Sequence, residues 1–120
     1  MASVQTALSA AMQIEGAIGV CVVDSKSGMV LGKEGGGSLN LDVAAAGNTE
    51  VLRAKLKAAN SLKLKDSIED ILITLHNQYH LIRPLTNNDA LFIYLVLDKQ
   101  KGNLAMSRHQ LAGIERDLTV

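Results

Sequence analysis

The 120-residue chain has no tryptophan, one phenylalanine, two tyrosines, one cysteine and one proline. Each shortage closes something off. Single-stranded nucleic-acid binders stack bases on accessible aromatic rings, and here Phe92 and Tyr94 fall inside one continuously apolar run. A lone Cys21 cannot form an intramolecular disulfide, which predicts a reducing, cytoplasmic setting. Net charge is absent too, because twelve Lys and Arg cancel twelve Asp and Glu. A neutral chain has no long-range attraction to phosphate backbones or anionic lipid, so neither nucleic acid nor membrane is expected as a partner. It also has no self-repulsion to keep copies apart. No stretch approaches the ~20 apolar residues of a spanning helix. Gln13 and Glu15 interrupt the apolar N-terminal residues and no early Lys or Arg precedes them, so no secretory signal is expected.

What is present predicts one domain over residues 1–120, large enough to bury a core without metal or disulfide. Ala17–Asp24 (AIGVCVVD) reads as a strand buried on both faces, rich in β-branched side chains. Ser25–Gly28 supplies a turn, with Gly28 free to take positive φ, and Met29–Lys33 returns as the partner strand. Before this hairpin, Val4, Leu8, Ala11 and Met12 recur at helical spacing from Ser3, a cap, to about Gln13. After it, Glu34–Ser38 (EGGGS) reads as a flexible loop.

The longest helix is expected from Asn40 to about Ala59, with Asp42 at its positive end and Lys55 and Lys57 towards its negative one. Ala44, Gly47, Val51, Ala54 and Ala58 form a stripe of small side chains along it, beside a bulkier stripe of Leu52, Leu56 and Ala59. A helix with two such stripes has two surfaces to cover. Ile68–Leu75 and Tyr79–Leu85 read as paired strands around His76-Asn77-Gln78, with Pro84 confined to a strand end. Ala90–Leu97 (ALFIYLVL) is expected as a central strand. A last helix follows, capped by Asn103, with Leu104, Leu111, Ile114 and Leu118 inward. The order is helix, two strands, helix, three strands, helix: an α+β domain with a five-stranded antiparallel sheet and helices on both faces.

The residues that could carry chemistry read as structural. Gly32-Lys33-Glu34-Gly35-Gly36-Gly37 follows a strand and precedes a helix, as a phosphate loop does. However, a phosphate loop ends in Gly-Lys-Ser/Thr directly at the helix, and here the lysine comes first. His76 and His80 flank a turn and His109 lies on the last helix, without the third strong ligand a metal site needs, so they read as solvated histidines. Cys21 sits between Val20 and Val22 with no cationic neighbour to activate it, as a buried structural thiol. Lys55, Lys57, Lys63 and Lys65 make a local basic stretch best read as a solvated helix end and loop. No acid, base and nucleophile converge, so neither an enzyme nor a cofactor is expected.

Several segments together resemble the roadblock family of dynein light chains and its bacterial relatives. They are Ile14-Glu15-Gly16-Ala17-Ile18-Gly19-Val20 entering the first strand, Asp24 and Gly28 in the hairpin, and the small-residue helix. Tyr79-His80-Leu81-Ile82-Arg83-Pro84-Leu85 before the apolar fifth strand completes the pattern. Glu15 stands where many relatives have proline, which leaves the entry turn less rigid. The resemblance implies a homodimer in which long helices pair and third strands join two sheets. It also implies a non-catalytic adaptor or regulator that binds a small Ras-like GTPase or scaffolds a signalling or motor complex, some members acting on dynein. The expected dimer contact comprises Ala44, Gly47, Val51, Ala54 and Ala58 with Ile71 and Ile73. The alternative is a small-ligand sensor domain of profilin-like or related α+β architecture.

Overall fold

The computed structural model describes residues 2–120. The elements run α1 (Val4–Met12), β1 (Ala17–Asp24), β2 (Met29–Gly35), α2 (Leu41–Ser61), β3 (Ile71–Thr74), β4 (Gln78–Pro84), β5 (Leu91–Asp98) and α3 (Leu104–Asp117). The five strands form one antiparallel sheet in the order β2-β1-β5-β4-β3. The α+β order and the central place of the apolar fifth strand match the sequence reading.

Side-chain alternation along β1 and β5 divides the core into two layers. Val20, Val22, Ile93, Leu95 and Leu97 point to one face, where Leu8 of α1 and Leu111 of α3 cover them. Cys21, Val23, Phe92, Tyr94 and Val96 point to the other, under Leu41, Ala45 and Leu52 of α2. Strands buried on both faces need apolar residues at every position, and this is why β1 and β5 lack polar alternation.

Helix starts follow local chemistry. Ser3, Asn40 and Asn103 each accept, through a side-chain oxygen, the backbone N–H three residues on. Such a cap contributes about 1 kcal/mol. The helix α2 runs to Ser61, further than expected, which leaves Lys55 and Lys57 short of its last turn.

Two expectations need correction. The glycine-rich stretch is not a free loop: Glu34 and Gly35 continue β2, paired with Val20 and Gly19. Gly36, at φ +101°, donates its N–H to Ile18 O at 2.8 Å, and it lies so close to Gly19 that a Cβ there would sit 2.7 Å from its Cα. Positive φ and close backbone approach both call for glycine here. The third strand is shorter than Ile68–Leu75, spanning Ile71–Thr74, and just ahead of it Asp70 is held by Arg108.

The two sheet edges differ. On β2 an irregularity opposite Val22 and Val23 leaves Leu31 without a partner, which disrupts that edge. On β3, Ile71, Leu72, Ile73 and Thr74 pair one-to-one with β4, and its outer side is open.

Candidate interaction surface

The helix α2 presents its sheet-facing residues Leu41, Ala45, Thr49 and Leu52 to the core. Its opposite face is exposed. Gly47, Val51, Ala54 and Ala58 lie there, whereas Ala44 is half-buried against the α2-side core. Val43 and Leu62 extend the same face at four-residue steps and are each 67% exposed. Neither was among the expected contact residues, although their spacing from Gly47 and Ala58 was readable. A Cβ on Gly47 would meet nothing within 4 Å. Ile71 and Ile73 pack partly buried against the α2-side core, so what β3 leaves open is its backbone edge.

The histidines do not converge. His76 and His109 are exposed. His80 is not the solvated turn residue expected, because it sits inside β4 on the α2 side of the sheet. Its Nδ1 lies 2.9 Å from Tyr94 Oη, and its Nε2 lies 2.9 Å from Gln78 Oε1. With the Gln78 amide so oriented, Nε2 carries the proton and Nδ1 accepts from the tyrosine. Burial pushes His80 below its ordinary pKa and pushes Tyr94 up to about 12. Among the described residues no group of three His, Cys, Asp or Glu could hold a metal ion.

Burial, and next the Asp42 carboxylate, push the Cys21 thiol up to about 12, against a smaller opposing effect of Lys33. A thiol held protonated is a poor nucleophile. Lys33 itself pairs with Asp42 at the start of α2. Both side chains of that pair are about half exposed, and Asn40 already takes the Val43 N–H.

One charged cluster was missed from sequence. Glu115 of α3 is 1% exposed and accepts from Arg83 Nε and from Thr86. Asp70 receives Arg108 through two nitrogens, at 2.6 and 3.1 Å. These residues pin the approach to β3 and the end of β4 onto α3. The signal was present: Glu115 stands four residues after Leu111 and three before Leu118, on the inward face of its helix.

No helix is long and apolar enough to cross a membrane, among the described residues. No family model matches the chain, and no curated protein does. Solved structures do. A Roadblock/LC7 domain from Streptomyces avermitilis superposes with a TM-score of 0.82 at 11% identity, covering 96% of this chain and 93% of that one. MglB from Myxococcus xanthus gives 0.78 at 11% identity, over 91% and 88% of the two chains. MglC from the same organism gives 0.58 at 22% identity, over 92% of each. At such identities the likeness is one of fold, and the helix order, strand order and two-sided helix packing described above are those of the Roadblock/LC7 domain.

Proposed function

We propose that this protein is a non-catalytic, homodimeric adaptor or regulator of the roadblock type. It contacts its second copy through the outer face of α2 and the open edge of β3. The observation that carries this reading is the presence of two unsatisfied surfaces, the outer face of α2 and the open edge of β3. Gly47, Val51, Ala54 and Ala58 lie on the exposed side of α2, and small side chains let two helices approach closely. The edge strand β3 is regular and unblocked, unlike β2, and such an edge is a liability unless paired.

Charge along α2 supports a two-fold arrangement. Asp42 and Glu50 lie in its first half, and Arg53, Lys55 and Lys57 in its second. A two-fold axis across the helix sets the first half of one copy against the second half of the other. Opposite charges then face each other on the flanks of the apolar stripe.

The dimer presents a composite surface to another protein, and a small Ras-like GTPase is the partner class proposed. Fold likeness to MglB and to a Roadblock/LC7 domain supports that class. The protein acts in the cytoplasm and binds no nucleotide itself, since its glycine-rich stretch lacks the Gly-Lys-Ser/Thr order and continues β2 at Glu34 and Gly35. The test is co-elution of the purified chain with Ras-like GTPases of its own genome, loaded with GTP or GDP. Saturable binding that depends on the nucleotide supports the reading. Micromolar GTP or ATP binding by the chain alone, seen by titration calorimetry with magnesium, contradicts it.

A further inference from the structure

The sheet ends beside α2 in a groove of about 620 Å³. Leu52 and Leu56 of α2, Ile68, Pro84 and Leu85 give it apolar walls. Leu56 follows Leu52 by one helical turn and so points the same way. Leu52 is 1% exposed and Leu56 is 48% exposed. Three exposed carboxylates, Asp66, Glu69 and Asp89, stand on the rim, and no lysine lines the groove.

Arg83 also lines this groove, with its side chain only 9% exposed. Its Nε donates to Glu115. Its Nη1 lies 3.8 Å from Asp70 and 3.9 Å from Glu69, beyond hydrogen-bonding distance. Neither terminal nitrogen donates a hydrogen bond to an acceptor among the described residues. No buried side-chain nitrogen among those residues is sealed off without a partner. The Arg83 terminal nitrogens therefore retain some exposure, and Arg83 lines both this groove and a neighbouring one walled by Asp70, Arg108 and Arg116.

We propose that this groove receives an extended segment of a partner protein, one that carries an aliphatic side chain next to lysine or arginine. The aliphatic group fills the space between Leu56, Ile68 and Leu85. A main-chain carbonyl of the segment accepts from the free Arg83 nitrogens. The basic side chain meets Asp66, Glu69 and Asp89, whose charge only Arg83 offsets within the groove, and Arg83 is already matched by Glu115. Such complementarity selects partners by charge and by apolar fit together. This surface lies on the sheet-facing side of α2, away from the outer helix face proposed to meet a second copy, and goes beyond that contact, although Ile68 and Glu69 lead into β3.

The test is selection of random decapeptides displayed on phage against the full-length chain at low salt. The expected winners carry Leu, Ile or Val within two positions of Lys or Arg. Their binding weakens by about tenfold in the double variant Asp66→Lys, Asp89→Lys, as fits two lost rim contacts. It weakens also in Leu56→Ser, in Arg83→Lys and with rising salt, while Ala54→Glu leaves it intact. Asp66, Asp89 and Leu56 are exposed, so those variants keep the fold, which circular dichroism verifies. Three results each overturn the proposal: no binders, winners without the basic–aliphatic pattern, or binding indifferent to both the rim and the Leu56 variants.

Discussion

Thr86 and Glu115 meet across 29 positions of sequence: the threonine donates its backbone N–H to one carboxylate oxygen at 2.9 Å and its hydroxyl to the other at 2.7 Å. Arg83 Nε adds a third donor at 3.3 Å. One buried side chain thus fastens the last turns of α3 to the end of β4 and the turn that leads into β5. Buried carboxylates persist only when donors replace the water they lose, and here three do.

Removing Glu115 has a predictable cost. Glu115→Ala removes the one carboxylate hydrogen-bonded to the nearly buried Arg83, leaving Asp70 at 3.8 Å as its nearest counter-charge, and frees both Thr86 donors. Breaking one side of a buried pair costs about 3–5 kcal/mol, and the urea midpoint is expected to fall accordingly. Glu115→Gln keeps an acceptor for Thr86 and loses less. Equal stability of Glu115→Ala and the unmodified protein speaks against a paired, buried carboxylate.

Stability is expected to depend on His80 in mildly acid solution. Folding lowers its pKa from the ordinary 6.5, so the unfolded chain takes the proton more readily. The contribution is complete above pH 6.5 and is lost as pH falls through that value towards the lower folded pKa. Urea midpoints between pH 8 and pH 5 should decline more steeply in the unmodified protein than in His80→Gln. Identical slopes count against this account of His80, Tyr94 and Gln78.

Cys21 should be inert in the folded protein. Its side chain is buried and its pKa is pushed up to about 12. At pH 8 a thiol reagent is expected to label it only in denaturant, where the ordinary pKa returns. Stoichiometric labelling of the native protein within minutes contradicts the buried placement of Cys21 on β1 beneath α2.

Much of the fold was readable because its signals are local. The caps Ser3, Asn40 and Asn103 act within three residues, and the uninterrupted apolar runs of β1 and β5 announce strands covered on both faces. What went unread depends on distant partners. Ile68 looks like the first residue of a strand, but Asp70 two positions on answers to Arg108 on α3, 38 positions away. The three glycines looked slack, and only the path of β1 at Ile18 and Gly19 gives Gly35 and Gly36 a fixed place. His80 looked like a turn residue because its neighbour Tyr94 is 14 positions away. The small-residue stripe on α2 was legible as a pattern, and the structure adds that all of it but Ala44 faces outward, extended by Val43 and Leu62.

Sedimentation equilibrium of the unmodified protein at tens of micromolar tests the central claim most directly. The account predicts a species of twice the 12.8 kDa chain mass. It also predicts a shift towards the single chain in Ala54→Glu, which sets a charge on the outer face of α2 where two apolar stripes meet. A single-chain mass for the unmodified protein under those conditions contradicts the account, whatever partner the protein is later found to bind.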